Sequence, residues 1–338
     1  MEEMMNRTFF SVSAFVMLAI SATHVYAAEW NVSLWGKRRA FTEHVHKLAE
    51  LVDKKTNGSL KLKISYGGLS KARENLDNIS FGAFEMAQFC ASYHEDKNPS
   101  ITVLELPFLG VTSLEQEARI SMAVYKHPAV KKDLARWNAT LLMPTPLPQY
   151  NIAGIGKPPK TLKDFRGMSI RATGGIGNAM GAIGAVPTSM GAAEVRQALD
   201  SGVIKAVAFA PHAHISFGTV EIVKWWTTNL NPGTVNCPVV VNTDALISLN
   251  DTERKALTSS VDEAIKHYIS YYNENTMKKW WPVLEKKKVE QITYNAENLE
   301  AFRLGIAGPA AAAWVKDNNR RGLPAQDLLN LVREELAK

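Results

Sequence analysis

The stretch from Ser169 to Gly181, SIRATGGIGNAMG, contains the residue types most able to bind a charged ligand. A dinucleotide-binding loop needs the pattern G-x-G-x-x-G after a strand and an acidic residue about twenty positions later. Gly175 and Gly177 fit that pattern, but Met180 occupies the third glycine position, and Glu194 falls inside a predicted helix. No G-K-[ST] follows, which excludes a phosphate-binding P-loop. The glycines therefore predict a tight turn from strand to helix, not a nucleotide site.

Arg171 is the residue in this stretch with the clearest chemical role. It ends the apolar strand MSIRAT and directly precedes the predicted helix GIGNAMGAIG. Ligands of open α/β sheets bind at such strand ends, and a guanidinium group matches a carboxylate with two parallel hydrogen bonds. An arginine at the end of a strand is more often an ordinary surface residue than a ligand-binding one. Which of the two Arg171 is depends on the motifs around it.

The sequence lacks the residue sets of common enzymes and metal sites. There is no G-x-S-x-G motif and no cysteine–histidine pair in a catalytic spacing. His44 and His46 are two apart on a predicted helix and so point to different faces, while His212 and His214 stand alone. We therefore predict that the protein is not an enzyme and has no cofactor and no metal.

The two cysteines, Cys90 and Cys237, each lie in an apolar, strand-like run. Such runs favour free, buried cysteines, although the two side chains would be able to pair in an oxidising compartment.

The charge of the chain argues against nucleic-acid binding. The sequence of 338 residues has 39 Lys and Arg against 33 Asp and Glu, a formal net charge of +6. The basic residues are scattered and form no stripe or known nucleic-acid-binding module. A mildly cationic surface suits the attraction of small anions.

The N-terminus has the pattern of an export signal. Arg7 precedes the apolar run Phe9 to Thr23, and small residues follow at Val25, Ala27 and Ala28. We predict a signal peptide over residues 1–27, cleaved near Ala27, and a periplasmic protein. The apolar run is too short for a membrane span, and no later stretch is apolar enough for one.

The rest of the chain reads as an α/β fold in two domains. Strand-like and helix-like segments alternate from residue 28, which is typical of a mostly parallel sheet. A helical pattern of about thirty residues runs from Asn250 to about Trp281, before Pro282, and is long enough to brace both domains. We predict a first domain of residues 28–149 plus about 237–275, and a second of about 150–236 plus 276–338.

Four segments resemble the DctP-type substrate-binding proteins of tripartite ATP-independent periplasmic (TRAP) transporters. They carry the family's motifs in the correct order and extend over most of the chain after the signal: Lys157–Thr173, Ala182–Ile204, Gly67–Gln88 and Pro99–Leu109. The resemblance implies a periplasmic-binding-protein-like clamp with crossing strands, whose two domains close on a small organic anion. It also implies that Arg171 holds the carboxylate, and that the integral-membrane permease subunits, small and large, receive the ligand.

The chain departs from the family pattern at two recognition positions. Many acid-binding members have a second arginine where this chain has Asn151, and sialic-acid-type members have an asparagine where it has Phe209. The family's V-D-G is replaced by Ile204 to Ala206. Both changes remove polar groups, so we expect a monocarboxylate with an apolar or aromatic body, not sialic acid or a small dicarboxylate.

Further ligand-binding candidates come from strand ends and from the crossing between domains. In the first domain they follow predicted strands, where an aromatic side chain is as often core as cleft wall. The candidates are Trp35, Arg39, Gly68, Tyr93, Gln149, Tyr150, Gly174 and Asn236, in addition to Asn151 and Phe209.

Two other functions remain open at this point. The protein would also be able to act as a ligand sensor for a membrane receptor kinase, or, as the weakest alternative, as a periplasmic enzyme. We expect a monomer.

Overall fold

A computed structural model describes residues 28–338 and contains two β-sheets flanked by helices. The predicted signal peptide lies outside the described residues. The eleven strands are β1 Ala28–Leu34, β2 Leu60–Tyr66, β3 Met86–Gln88, β4 Ala139–Met143, β5 Asn151–Gly154, β6 Ser169–Arg171, β7 Val186–Thr188, β8 Ala206–Phe209, β9 Trp225–Thr227, β10 Val239–Asn242 and β11 Glu290–Ile292.

Over the same described residues, thirteen α-helices connect or cover these strands. They are α1 Glu43–Lys55, α2 Asn75–Ser80, α3 Leu114–Lys126, α4 Pro128–Ala135, α5 Gly174–Ala182, α6 Val195–Asp200, α7 Pro211–Ser216, α8 Thr243–Ser248, α9 Asp251–Ser259, α10 Val261–Tyr272, α11 Lys278–Lys286, α12 Ala296–Arg320 and α13 Ala325–Leu336. None of the helices within residues 28–338 is both long and apolar enough to cross a membrane.

Each sheet combines parallel and antiparallel strands. The first sheet has the order β2-β1-β3-β10-β4, with β1 parallel to β2 and β3, and β10 antiparallel to both its neighbours. The second has the order β11-β9-β5-β8-β6-β7, in which β6 is parallel to β7 and β8. The carboxyl ends of β1, β3, β6 and β8 are therefore the places where a ligand cleft is expected.

Two segments cross between the sheets. The chain leaves the first sheet after β4 and enters the second at β5, and it returns from β9 to β10. The predicted α/β clamp with crossing strands is thus confirmed. Strand β10 forms the antiparallel partner of β3 and β4, which ties the returning segment firmly into the first sheet.

The predicted long helix is present as a nearly continuous run from Asp251 to Lys286. Asn250 caps its start by accepting a hydrogen bond from the Glu253 N–H at 3.0 Å, as the sequence predicts. Helix α10 packs on α1 beside the first sheet, and Trp280 of α11 packs edge-on against Trp226 of the second sheet. The helix therefore braces both halves of the molecule.

The helix continues past Pro282, where the sequence predicts its end. A proline removes one backbone hydrogen bond and crowds the carbonyl one turn earlier. A wider π turn at Asn273–Met277 directly precedes this part of the helix, and α11 extends to Lys286. The fixed φ of proline is itself compatible with a helix, so the helix loses one hydrogen bond at Pro282 and continues.

The C-terminal helices form a second connection between the sheets. Tyr294, just before α12, packs against Phe165 beside the second sheet, and Trp314 near its other end donates a 2.8 Å hydrogen bond to Thr102. Helix α13 packs against α3, although the sequence prediction assigns residues 276–338 to the second domain. Its buried face, including Leu328 and Val332, completes a hydrophobic cluster on the first-sheet side.

Candidate ligand-binding cleft

A cavity lies between the two sheets, at the carboxyl ends of their parallel strands. Six of the predicted residues line it together: Trp35, Arg39, Tyr93, Tyr150, Arg171 and Phe209. We call the residues after β1 and β3 the first wall, and those at and after β6 and β8 the second wall. The free space between the walls is about 30 Å³, so a small organic molecule enters only if the walls part.

Arg171 is buried in the second wall, with 3% of its surface exposed. Its Nη2 donates to the Met190 carbonyl at 3.0 Å and to the Tyr93 hydroxyl at 3.3 Å. Its guanidinium carbon lies 4.8 Å from the centroid of the Phe209 ring. Within residues 28–338, no carboxylate forms an ion pair with it. A buried guanidinium whose neighbours are carbonyls, a hydroxyl and an aromatic face has no opposite charge beside it, and an anion that pairs with it stabilises it.

Arg39 lies in the first wall, and it too has no carboxylate partner in the part of the chain that the structure describes. Its Nη1 donates to the carbonyls of Trp35 at 2.6 Å and Lys37 at 2.9 Å. The side chain folds back over Gly36, whose φ of +76° and missing Cβ leave space for the guanidinium. Burial lowers the pKa of Arg39 to about 10, so the group stays cationic at neutral pH.

Three ring-bearing cavity residues were not predicted from the sequence. Phe41 and His212 stack across the cleft with ring centroids 5.2 Å apart, and Phe217 lies 6.0 Å from Phe209. Burial lowers the pKa of His212 well below its usual value, so its ring is neutral and shares a 2.9 Å hydrogen bond with the Tyr272 hydroxyl. In the sequence, these three residues fall at positions typical of the packed face of a helix. No sequence signal distinguishes them from residues of the hydrophobic core.

Asn151 and Gln149 lie outside this cavity. The Asn151 carboxamide oxygen accepts hydrogen bonds from the N–H groups of Leu230 at 3.0 Å and Asn231 at 3.3 Å. Both residues line a separate groove beside Trp226. In this arrangement the Asn151 side chain shapes the turn after β9, because its hydrogen-bonding capacity is used there.

Asn236 and Gly174 also lie outside the cavity, behind its first and second walls respectively. The Asn236 side chain accepts a 2.8 Å hydrogen bond from the Tyr125 hydroxyl and donates to Ser121 at 3.2 Å. Gly174 faces Glu105, and Gly68 is exposed away from the cleft. The structure shows contacts of these residues within the protein itself. The sequence pattern did not distinguish such contacts from contacts with a ligand.

Cys90 and Cys237 form a disulfide at the floor of the cavity, with an S–S distance of 2.02 Å. The expectation of free cysteines is therefore wrong. The two residues oppose each other where the returning segment runs beside β3, since Ala91 N–H donates to the Asn236 carbonyl and Phe89 N–H to the Pro238 carbonyl. Sequence alone did not show this pairing because 147 positions separate the cysteines.

Glu105 lies at a point of contact between the two sides of the clamp. Its Oε1 accepts hydrogen bonds from the N–H groups of Asn236 at 2.8 Å and Ser92 at 3.3 Å. Burial nevertheless raises the pKa of the Glu105 carboxyl to about 8. The group is therefore mostly protonated at neutral pH and does not neutralise the arginines of the cleft.

The start of α5 packs directly on Glu105, and only glycine fits there. A Cβ on Gly175 would fall 1.8 Å from the Glu105 carbonyl oxygen, and one on Gly174 would fall 2.3 Å from its Oε2. Nearby, the Ser92 hydroxyl donates to the Thr173 hydroxyl at 3.2 Å. The two sides of the clamp are therefore in close contact at this point.

We predict that Gly175→Ala holds the clamp partly open. The new methyl group cannot coexist with the Glu105 carbonyl at its present distance, and relief of such overpacking costs about 1–3 kcal/mol. We expect a larger radius of gyration with ligand present by small-angle scattering, and an affinity at least about tenfold lower by calorimetry.

Gly181→Ala is the matched control, because the same substitution in the same helix meets no atom closer than 3.7 Å. Alanine in a helix interior is favoured over glycine by about 1 kcal/mol, so this variant should bind normally and unfold no more easily. Equal scattering and affinity for the two variants would show that the Gly175 contact does not limit closure.

Two sheets joined by crossing strands and braced by a shared helix, with a charged and aromatic cleft between them, define a solute-binding clamp. The chain belongs to the DctP family, family 7 of the bacterial extracellular solute-binding proteins, whose family model matches residues 32–310. This confirms the resemblance seen in the sequence.

Individual relatives are distant in sequence and close in fold. The outer membrane transporter protein TsaT of Comamonas testosteroni is 22% identical over 307 residues, which are 86% of this chain and 85% of TsaT. A TRAP periplasmic solute-binding protein from Desulfovibrio salexigens with bound orotic acid superposes with a TM-score of 0.81 at 22% identity, over 92% of this chain and 99% of that one. A marine metagenome TRAP solute-binding protein specific for aromatic acids, in complex with metahydroxyphenylacetate, gives 0.82 at 19% identity, over 92% and 98%.

Proposed function

We propose that this protein captures an organic acid anion between its two walls, with the carboxylate on Arg171, and delivers it to a TRAP-type membrane permease. The observation that carries the proposal is the buried Arg171 guanidinium, which faces an interdomain cavity and has no acidic partner within residues 28–338. A charge in such a place destabilises the closed protein until an anion pairs with it.

The contacts of Arg171 favour a carboxylate as the bound group. The guanidinium is fixed by the carbonyls of Met190 and Ala208 and by the Tyr93 hydroxyl of the first wall. Separation of the walls releases the Nη2–H that Tyr93 accepts, so that Nη1 and Nη2 each have one N–H for a ligand. A planar fork of this kind forms two parallel, charge-assisted hydrogen bonds to a carboxylate. Water exclusion on closure strengthens that pair.

The rest of the cavity supports an apolar or aromatic ligand body. Trp35, Phe41, Phe209 and Phe217 supply most of its rings, and Tyr150 is buried there as well. The relatives in complex with orotic acid and with metahydroxyphenylacetate hold ring-bearing acids in the same fold. The Phe41 and His212 rings already stack across the cleft with their centroids 5.2 Å apart. A flat ligand body can form stacking contacts of the same kind between the walls.

Ligand capture requires the walls to separate and close. The structure has them in contact through the Tyr93–Arg171 and Ser92–Thr173 hydrogen bonds, and the space left is too small for an aromatic acid. A ligand that touches both walls shifts the population toward a closed form, in the manner of hinge-bending binding proteins. We infer that this closed form is the one the membrane permease accepts, in the periplasm after removal of residues 1–27.

A thermal-shift screen of organic acids, followed by calorimetry, tests the proposal. A ligand present at about 100 times its dissociation constant stabilises the folded state by about 2.7 kcal/mol, which is several degrees of melting temperature. We expect carboxylates with a ring or alkyl body to raise the melting temperature, and the corresponding primary amides to leave it unchanged. Stabilisation by the amides as much as by the acids would contradict the carboxylate site.

A further inference from the structure

Among residues 28–338, the cleft is lined by two guanidinium groups and by no acidic side chain. Arg171 and Arg39 line the same cavity, one in each wall. The nearest acidic residue along the chain from Arg39 is Glu43, and it pairs with Arg38 through two hydrogen bonds of 2.8 and 2.9 Å. Glu105 lies behind the first wall and already accepts two backbone hydrogen bonds. The cavity therefore has an excess of two positive charges.

Arg39 has hydrogen-bonding capacity left for a ligand. Only its Nη1 has acceptors among residues 28–338, namely the two backbone carbonyls of its own loop, and its buried Nε has none. Three aromatic rings surround the guanidinium carbon, with Phe41 at 4.8 Å, Phe217 at 5.3 Å and Trp35 at 5.8 Å from their centroids. Ring faces attract a cation but do not neutralise its charge.

The two cations contact neighbouring rings of the cavity. Arg39 contacts Phe217, Arg171 contacts Phe209, and the centroids of these two rings are 6.0 Å apart. A ligand body that lies along this ring pair is therefore within reach of both guanidinium groups. His212 is neutral and adds no third charge.

We infer that the ligand is a dianion with an apolar or aromatic body, with one anionic group on Arg171 and the second on Arg39. The inference rests on the proposed function, because it assigns the second group of the same ligand. It replaces the monocarboxylate expected from the sequence, which rested on Asn151 and Phe209. Asn151 lies outside the cavity, and Phe209 lines it but leaves Arg39 as a second cation there. Arg39 is then the residue that determines specificity for the number of charges.

The positions of the two arginines also link charge number to closure. Arg39 belongs to the first wall and Arg171 to the second, so a dianion draws both walls together, whereas a monoanion leaves one buried cation unpaired. A singly charged acid is therefore disfavoured for two reasons. It lacks the second ion pair, and it leaves one arginine of the cleft without a negative partner.

Calorimetric titrations with two matched pairs of acids at pH 7.5 test the inference. The pairs are benzoate with terephthalate, and hexanoate with adipate, so that charge number changes within an aromatic and within an aliphatic body. We expect the wild-type protein to bind the dianion of at least one pair at least tenfold more tightly than its monoanion. We expect Arg39→Met to lose most of that preference, and Arg39→Lys to keep part of it.

Lys37→Met is the matched control, since it removes one exposed positive charge from the same loop without touching the cavity. It should keep the wild-type preference, and circular dichroism and melting temperature verify the fold of each variant. Equal or tighter binding of the monoanions, or an Arg39→Met variant that weakens both members of a pair equally, overturns the inference while the proposed function stands. Binding of none of the four acids overturns the inference, and the proposed function fails only if the wider acid screen is also negative.

Discussion

Arg171→Met should abolish high-affinity ligand binding and leave the fold intact. Truncation of one partner of a buried, hydrogen-bonded charge pair costs about 2–5 kcal/mol, which is roughly a 30- to 4,000-fold rise in dissociation constant. The free energy of unfolding should change by no more than about 1 kcal/mol, because Arg171 has no acidic partner among residues 28–338 and a methionine of similar length fills its space. Calorimetry with a hit from the acid screen, together with denaturant unfolding, measures both effects.

Arg166→Met is the matched control for this experiment. It makes the same change at an exposed arginine that lies outside the cleft and near the start of β6. It should bind like the wild type. Affinity retained in Arg171→Met within a factor of about three would rule out Arg171 as the carboxylate anchor, whatever the identity of the ligand.

Replacement of both Cys90 and Cys237 by alanine should reduce the free energy of unfolding by about 3–5 kcal/mol. The disulfide closes a loop of 147 positions, for which chain entropy alone predicts about 5 kcal/mol, and measured native disulfides commonly contribute about 2–5 kcal/mol. The loss should be seen as a lower midpoint of denaturant unfolding with an unchanged slope. Affinity should fall as well, because both side chains lie in the floor of the cavity.

A reductant separates the disulfide from the side chains that form it. Wild-type protein unfolded in the presence of a phosphine reductant should match the double variant, and the double variant should not respond to the reductant. Two free thiols in the oxidised, folded protein, counted by mass spectrometry after alkylation, would contradict the pairing.

The features that depend only on neighbouring residues are present in the structure nearly as the sequence predicts them. The strand ending at Arg171, the glycine turn after it and the Asn250 cap of the long helix follow from neighbouring residues. Each depends on hydrogen bonds and steric limits within a few positions of the chain, and such limits are readable from the residue types alone.

The composition of the cavity was predictable only in part. Trp35 and Tyr93 were predicted because they follow strands, and parallel strands end at one edge of a sheet; Phe209 was predicted from the family pattern. Asn151 was predicted from the same family pattern and still lies outside the cavity, since its carboxamide bonds the N–H groups of Leu230 and Asn231. A polar side chain that the backbone satisfies is indistinguishable, in sequence, from one left free for a ligand.

The sequence by itself determined the fold family and the position of Arg171 between a strand and a helix, because these depend on motifs and on local pattern. Only the tertiary structure decided that Cys90 pairs with Cys237, that Gly175 packs against Glu105, and that Arg39 shares a cavity with Arg171. The reason is the same in all three cases. Each partner lies far away along the chain, and the crossing strands and the bracing helix bring the two together.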